Sequence, residues 1–252
     1  MDLGLADRVY VLTGASRGLG FATAEALVAD GAKVVISSRD EQRVAEAVGS
    51  LGEGNAVGVT ADLADPEAPR LLIDTAVEQF GRFDGALISV GGPVPGRASA
   101  LSDEQWRDAF ETVFLGTVRA ARTFAAALPE SGAIALVLST TVKTPLPGLG
   151  LSNGLRPGLA MAAKDMADEY APRGVRIVSL LPGRFLTDRS IELFEATGDA
   201  SSAAAEVAET VPLRRMGEPA EFGRVAAFAL SPAASYMTGT TLTIDGGVLR
   251  TL

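Results

Sequence analysis

The sequence predicts an α/β fold, a doubly wound domain in which a seven-stranded parallel sheet carries helices on both faces. Short apolar runs alternate with amphipathic stretches along all 252 residues, and strands that alternate with helices pair in parallel through right-handed crossovers. The strand candidates are almost continuously apolar, which is typical of strands buried on both faces. The length suits one domain, residues 1–252, and we find no linker or internal repeat beyond this alternation.

The order of the elements follows from the apolar runs and from the helix signals between them. Strands are predicted at 9–12, 33–37, 56–60, 86–90, 134–138, 175–181 and 241–244. Helices are predicted at 19–30, 41–51, about 103–128 and 153–170, and a further helix that the Asp65-Pro66 dipeptide opens and that runs to residue 80. Residues 188–211 are rich in Ala, Ser and Glu and predict either a helical lid over the site or a solvated surface insertion.

The turn after the first strand contains Gly14, Gly18 and Gly20 in the spacing Gly-x-x-x-Gly-x-Gly. A strand that breaks into a tight turn and feeds a helix leaves backbone N–H groups pointing outward, and these groups and the helix dipole attract phosphate. Glycine is required where the backbone approaches a ligand or takes a positive φ. The segment therefore predicts a nucleotide site that includes Ser16, Arg17 and Leu19, although a plain turn uses glycines as well.

Composition excludes several classes of function. The chain has no cysteine and no histidine, so disulfides, thiolate chemistry, His-based triads and His metal sites are excluded, and we expect no metal site. The formal charge of −9 argues against a nucleic-acid surface. No apolar run is long enough to span a bilayer, and the N-terminus lacks a signal segment, so a cytoplasmic protein without a membrane partner is expected.

The residues after the second strand predict which dinucleotide binds. An acidic residue at this point would hold the ribose hydroxyls of NAD(H), whereas Ser37-Ser38-Arg39 suits a 2′-phosphate. Arg17 is expected to close on the same phosphate, giving charge-assisted contacts from two guanidinium groups. NADP(H) is therefore favoured over NAD(H), and the alternative is that Arg39 pairs with Asp40 or Glu41 on the surface.

The next two strand ends add further candidates. Asp62 and Leu63 follow the third strand and are placed to meet the adenine, although Asp62 also suits a simple helix cap. Ser89, Val90 and Gly91 follow the fourth strand, where glycine lets the chain lie flat beside a cofactor or simply forms a tight loop.

These residues together resemble the short-chain dehydrogenase/reductase family. Residues 13–20 are similar to its cofactor motif, Leu181-Pro182-Gly183 followed by Thr187 to its segment beside the nicotinamide, and 236–247 to its C-terminal strand. The similarity is greatest to 3-oxoacyl-(acyl carrier protein) reductase-like members. It implies one Rossmann-like domain, an NAD(P)(H) cofactor, a small carbonyl or alcohol substrate, and a homodimer or homotetramer.

The resemblance also implies where the chemistry lies, and there the chain departs from the family pattern of Asn, Ser, Tyr and Lys. The Ser corresponds to Ser139, the Asn to Val113, and the Tyr-x-x-x-Lys pair to Ser152 and Arg156. A slip of one residue would place Asn153 at the Tyr position, but the chain contains no Tyr-x-x-x-Lys at all.

The departure has a chemical consequence. Ser152 is a far weaker acid than a phenol beside a lysine, and Arg156 supplies a cation that cannot pass on a proton. Lys143 is a substitute acid if it is partly buried near Arg156, and otherwise an exposed loop residue. Two hypotheses follow: an NADP(H)-dependent oxidoreductase of altered or reduced activity, or a cofactor-binding sensor or partner subunit without redox turnover. A vacant pocket is a third possibility.

The expectation of an oligomer has limited support from the residues themselves. The helices from Asp103 and Asn153 carry small side chains that would permit close helix packing between subunits or ordinary packing onto the sheet. These are Ala120, Ala121, Ala125, Ala160, Ala162 and Ala163.

Overall fold

A computed structural model describes residues 2–52, 54–195 and 199–251. Its sheet has seven parallel strands in the order β3-β2-β1-β4-β5-β6-β7, which confirms the predicted fold class. The strands are β1 (Val9–Thr13), β2 (Lys33–Ser38), β3 (Ala56–Thr60), β4 (Gly85–Ile88), β5 (Ala133–Val137), β6 (Arg176–Pro182) and β7 (Thr241–Ile244).

Helices connect these strands and cover both faces of the sheet. They are α1 (Gly18–Ala29), α2 (Glu41–Leu51), α3 (Ala68–Phe80), α4 (Asp103–Ala109), α5 (Gly116–Ala127), α6 (Gly150–Tyr170), α7 (Asp188–Glu195), α8 (Ala200–Glu209) and α9 (Pro219–Leu230). The apolar cores on the two faces are separate, with α3, α5 and α6 on one face and α1, α2 and α9 on the other.

Strand β1 illustrates why the strands are continuously apolar. Val9 and Val11 point into the core under α3 and α5, whereas Tyr10 and Leu12 point into the core under α1 and α9. All four side chains are buried, because successive residues of a strand face opposite sides of the sheet. Burial on both faces therefore explains why polar and apolar residues do not alternate along the strand.

Helix α3 begins later than the Asp-Pro dipeptide predicted. Asp65 accepts a hydrogen bond from the backbone N–H of Glu67 (2.9 Å) and ends a turn, and the helix starts at Ala68. Pro69 lies in the first helical turn, where its missing N–H costs no hydrogen bond.

The long helix predicted from residue 103 to residue 128 is interrupted. A π-helical segment, Phe110–Leu115, separates α4 from α5. The backbone at Gly116 then passes so close to the next segment that an added Cβ would lie 2.8 Å from the carbonyl oxygen of Leu63. Packing against the turn after β3 thus fixes the start of α5.

Helix α9 was missing from the sequence prediction. Its local signal is a capping box between Glu218 and Glu221 with Pro219 at the start. Gly223, which lowers helix propensity, is explained by packing, because a Cβ there would collide with the backbone carbonyl of Ala22 in α1.

The segment 188–211 contains α7 and α8, and residues 196–198 of the predicted lid lie outside the described residues. In the described ranges, no helix is both long enough and apolar enough to cross a bilayer.

The small residues of the long helices pack mainly within the chain. Ala120, Ala121, Ala125 and Ala163 are buried in the core on one face of the sheet. For these four residues the structure supports the alternative of ordinary packing onto the sheet, so they do not carry the expectation of an oligomer.

Candidate active site

A cleft of about 1090 Å³ runs along the carboxyl ends of the strands. It crosses the ends of the neighbouring strands β1 and β4, where the order of the strands reverses. This switch point is the usual ligand site of an open α/β sheet. The candidate residues that line it are Gly14, Ser16, Arg17, Gly18, Leu19, Gly20, Ser38, Arg39, Asp62, Leu63, Ser89, Val90, Gly91, Arg156, Pro182 and Thr187.

The glycine-rich turn forms one end of the cleft. Gly14 and Gly18 have φ values of 58° and 60°, which side chains rarely adopt. A Cβ at Gly20 would lie 2.5 Å from the carbonyl oxygen of Gly14, so a side chain does not fit there. The three glycines therefore meet conformational and steric requirements of the turn.

The turn presents the N-terminus of α1 to the cleft. Arg17 precedes the helix in an extended conformation, and its side chain makes no capping hydrogen bond. The first N–H groups of α1 and the positive end of its dipole thus favour an anion.

A pair of hydrogen bonds joins the ends of β1 and β4 at the point where the order of the strands reverses. The Thr13 hydroxyl donates to the carbonyl oxygen of Ser89 (2.9 Å) and accepts from the Ser89 N–H (3.0 Å). These bonds tie the end of β1 to the residue that follows β4, so the floor of the cleft is fixed.

Arg39 lines the cleft and forms an ion pair with Asp62. Its Nη1 lies 3.8 Å from Oδ2 of Asp62, and 77% of the side chain is exposed. The alternative pairing with Asp40 is not observed, because Asp40 caps α2 at the N–H of Arg43 (3.1 Å) and pairs with the Arg43 guanidinium (3.2 Å). The Arg39 guanidinium is thus available to a ligand, because the long, exposed ion pair with Asp62 that it would give up is weak.

Asp62 does not cap a helix. Its Oδ1 accepts from the N–H of Ala64 (3.0 Å) and stabilises the turn after β3, well before α3 begins. Its carboxylate faces the cleft and balances Arg39.

Arg17 has a partner that the sequence did not indicate. Its Nη1 lies 2.6 Å from Oε1 of Glu192 in α7. The prediction that Arg17 shares a phosphate with Arg39 therefore requires Arg17 to leave this carboxylate.

Gly183 does not line the cleft. Its N–H donates to the carbonyl oxygen of Ile244 (2.8 Å), and a Cβ there would lie 2.6 Å from Asp245. Close packing beside the end of β7 therefore explains why a glycine stands at position 183. Pro182 and Thr187 line the cleft.

Ser139 and Ser152 are not among the residues that line the cleft, although each directly follows one that does, Leu138 and Leu151. The Ser139 Oγ accepts from the N–H of Thr141 (3.1 Å) and caps a short 3₁₀ turn. The Ser152 Oγ is buried 3.1 Å from the Oγ1 of Thr141. The two serines thus meet at Thr141, and neither hydroxyl is acidic enough to replace a phenol.

Arg156 is the predicted catalytic residue that does line the cleft. It is buried, and its Nη1 donates to the carbonyl oxygen of Val137 at the end of β5 (2.9 Å). Val113, from the π-helical segment, lines the same cleft and is also buried. The cleft therefore contains a fixed cation beside an apolar side chain.

Lys143 is exposed at the end of the 3₁₀ turn and does not line the cleft, which contradicts its role as a buried substitute acid. Asn153 holds the loop before α6, accepting from the N–H of Leu146 (3.0 Å) and donating to its carbonyl oxygen (2.9 Å). Of the two neighbours in α6, it is Ser152 that packs beside Thr141.

None of the tyrosines lies among the described residues that line the cleft. Tyr10 is buried inside the sheet, and its hydroxyl donates to the carbonyl oxygen of Leu230 (3.4 Å). Burial raises the pKa of Tyr10 to about 12. Tyr170 ends α6 beside the Arg173 guanidinium, and Tyr236 is fully exposed.

The sequence prediction missed one face of α4 and of the π-helical segment that follows it. Gln105, Asp108, Ala109 and Thr112 line the cleft together with Val113. Their spacing of three and four residues is that of one helix face, so this face was detectable once the helix was predicted from residue 103. It adds an amide, a carboxylate and a hydroxyl to the cleft.

No group of His, Cys, Asp and Glu side chains suited to a metal ion occurs in the part of the chain that the structure describes.

The chain is similar to known proteins over most of its length. The family model described as Enoyl-(Acyl carrier protein) reductase matches residues 14–249. Dehydrogenase/reductase SDR family member 4 of Homo sapiens is 33% identical over 251 residues, covering 96% of this chain and 88% of the relative.

Two solved structures are similar over nearly the whole chain. The L-sorbose reductase of Gluconobacter frateurii, in complex with NADPH and L-sorbose, has a TM-score of 0.94 at 30% identity, with 100% of both chains covered. A short chain oxidoreductase of Pseudomonas aeruginosa PAO1, bound to NADPH and described as containing an atypical catalytic center, has a TM-score of 0.90 at 28% identity, covering 97% of this chain and 98% of that one.

Proposed function

The chain belongs to the short-chain dehydrogenase/reductase family, a family of oxidoreductases, and from this premise we propose that it is an NADP(H)-dependent enzyme that interconverts a carbonyl compound and an alcohol. The observation that carries the proposal is a single cleft with an anion-binding turn and Arg39 among its lining residues, and with Arg156 in its wall. The NADPH bound to the two similar solved structures supports the choice of cofactor.

The residues of the turn fit a dinucleotide phosphate. The backbone occupies the space that a Cβ at Gly14 or Gly20 would need, and the N-terminus of α1 carries no side-chain cap. At the end of β2, Ser38 and Arg39 take the place of an acidic residue, so they suit a 2′-phosphate better than the free ribose hydroxyls of NAD(H). When bound, NADP(H) supplies or accepts the hydride.

The chain's own residues then orient the reactants and bear charge. Arg156 holds a positive charge in a buried wall, where it favours a developing negative charge on a substrate oxygen. Ser139 directly follows Leu138 of the cleft lining, and its oxygen accepts from a backbone N–H, so its own proton remains available to a substrate oxygen. With Ser152 bonded to Thr141 and no phenol among the described residues of the lining, we expect weak general acid catalysis, which lowers turnover by about 10²- to 10⁴-fold.

The test is oxidation of NADPH with a panel of ketones that includes L-sorbose, together with 3-oxoacyl and enoyl thioesters. We expect slow turnover of at least one member, a loss of rate in Arg156→Gln and Ser139→Ala, and an unchanged rate in Lys143→Ala, which alters an exposed residue. Failure of every substrate, or equal rates in all three variants, would contradict the proposal.

A second candidate function is that of an NADP(H)-binding sensor or partner subunit without redox turnover. The observation that favours it is the chemistry of positions 113, 152 and 156, where Val, Ser and Arg stand. Steady consumption of NADPH at a rate of order 1 s⁻¹, an ordinary enzyme value, would exclude it. Binding of NADPH without consumption over the panel would favour it.

Assembly and location are part of the same proposal. We expect a homodimer or homotetramer, as the resemblance to the family implies, and a cytoplasmic location. The checks are the molar mass in solution and the distribution of the protein after cell fractionation.

A further inference from the structure

The glycine-rich turn and α7 are joined by an ion pair. Nη1 of Arg17 lies 2.6 Å from Oε1 of Glu192, and the side chains are 38% and 55% exposed. The two segments also approach each other at Gly18, where an added Cβ would be 3.8 Å from the side chain of Thr187. The start of α7 therefore lies against the turn that we assign to phosphate binding.

The first turn of α7 is held in place by hydrogen bonds. The N–H of Thr187 donates to the Oγ of Ser190 (2.7 Å), and the Ser190 hydroxyl lies within reach of the carbonyl oxygens of Phe185 (3.0 Å) and Thr187 (2.7 Å). One turn after Asp188, Glu192 lies on the same face of the helix, and both residues line a hollow of about 520 Å³ beside the glycine turn. The carboxylate of Glu192 is thus presented to Arg17 by a fixed element.

A carboxylate and a phosphate use the same donors of a guanidinium, and the two anions repel each other when they are adjacent. Arg39 and Arg17 both line the cleft, and Glu192 pairs with Arg17 from the neighbouring hollow, so a phosphate held by both arginines would lie near this carboxylate. Resting on the proposed function, we infer that Glu192 is a specificity-determining residue that competes with the 2′-phosphate of NADP(H) for Arg17.

The size of the effect follows from the exposure of the pair. Exposed ion pairs are weak, so removing the competitor tightens NADPH binding by about two- to fivefold. NADH has no 2′-phosphate, so its affinity does not change.

The experiment is a fluorescence titration of the purified chain with NADPH and with NADH. Glu192→Gln is compared with Glu195→Gln, a matched control that removes the same charge from an exposed residue of the same helix. We expect Glu192→Gln to lower the Kd for NADPH two- to fivefold, with no change for NADH and no change in Glu195→Gln. In an Arg17→Gln background, the effect of Glu192→Gln should vanish.

Three results would overturn the inference: equal Kd values for the two glutamate variants, an equal gain for NADPH and NADH, or a gain that persists without Arg17. Failure of the proposed function is distinguishable from these results: if NADP(H) is not the cofactor, the wild-type chain does not bind NADPH, and if only turnover fails, NADPH is bound but not consumed.

Discussion

The hydroxyl oxygens of Ser152 and Thr141 lie 3.1 Å apart, with both side chains buried. The resemblance to the family predicts a tyrosine at this position in α6, and its phenol would be a stronger acid than serine. In this chain the Ser152 hydroxyl is hydrogen-bonded to Thr141. Arg156, four residues later in the same helix, lines the cleft.

Restoring the pair with Ser152→Tyr and Arg156→Lys should raise kcat for a ketone of the panel by about 10²- to 10⁴-fold, the usual contribution of a general acid. Initial rates with saturating NADPH measure the change. Ser152→Phe with Arg156→Lys is the matched control, because it adds the ring without the hydroxyl. Equal rates for the two double variants would contradict the prediction.

Arg39→Ala should weaken NADP(H) binding by about 1.5–3 kcal/mol, the range for hydrogen bonds to charged groups, and leave NAD(H) binding nearly unchanged. The reason is that Arg39 forms just a 3.8 Å ion pair with Asp62 and remains available to a 2′-phosphate. Calorimetric titration with both cofactors measures the difference. Arg70→Ala, which removes an arginine of a surface pair in α3, should change neither Kd. An equal loss for the two cofactors in Arg39→Ala would mean that its role is structural.

Gly20→Ala should abolish tight NADPH binding, because its Cβ would lie 2.5 Å from the carbonyl oxygen of Gly14 and the turn must shift. Overpacking of this kind also costs about 1–3 kcal/mol of unfolding free energy. Gly49→Ala in α2 is the control, since a Cβ there meets nothing within 4 Å and should stabilise the helix by about 0.5–1 kcal/mol. Urea unfolding and NADPH titration of both variants test the contrast, and unchanged binding in Gly20→Ala would refute it.

The buried phenol of Tyr10 should make stability depend on pH above 10. Burial raises its pKa from 10.0 to about 12, so in this range the unfolded chain loses the proton before the folded chain does. The stability that Tyr10 contributes is fully present below pH 10 and decreases by about 2–3 kcal/mol as the pH rises to 12.

The measurement is urea unfolding of the wild-type chain and of Tyr10→Phe at several pH values. Near pH 8 the variant should be less stable by about 0.5–1.5 kcal/mol, because it loses the hydrogen bond to Leu230. Near pH 12 the order should reverse. Parallel curves for the two proteins would be the contrary result.

Arg176→Met should destabilise the fold by about 3 kcal/mol or more, because buried carbonyl groups without partners cost about 1–3 kcal/mol each. The Arg176 guanidinium is buried, which lowers its pKa, and donates to the carbonyl oxygens of Ala229 (2.9 Å), Met237 (3.2 Å) and Ser231 (2.9 Å).

Arg173→Met is the matched control for this change. Arg173 is exposed and also donates to carbonyl oxygens, among them that of Leu128 (2.7 Å), but water can replace it there. We expect its loss to cost less than about 1 kcal/mol. Comparable losses in the two variants, measured by urea unfolding, would show that burial is not the deciding factor.

The strands were predictable because their signal is local. A segment buried on both faces is apolar at nearly every position, and the predicted strand 9–12 lies within the fully buried β1. Helix boundaries were less predictable where tertiary contacts set them. The break before α5 depends on the close approach of Gly116 to Leu63, and the tolerance for Gly223 in α9 depends on the backbone of α1.

The candidate site was likewise predictable only in part. The glycine turn and Arg39 were found from the sequence, because each follows directly from a strand end. The face of α4 with Gln105 and Asp108 was missed, although its spacing is helical. The expected acid Lys143 proved to be exposed, because the turn that carries it ends at the surface.

The sequence by itself determined the parallel sheet, the position of the cleft at its carboxyl edge and the lack of a Tyr-x-x-x-Lys pair, since these depend on residue type, local order and short spacing. Only the tertiary structure decided which partners the charged and hydroxyl groups have: Glu192 lies 175 residues from Arg17, and Thr141 lies 11 residues from Ser152. The physical reason is that an ion pair or a hydrogen bond requires two groups to meet in space, and no local pattern records which two segments the fold brings together.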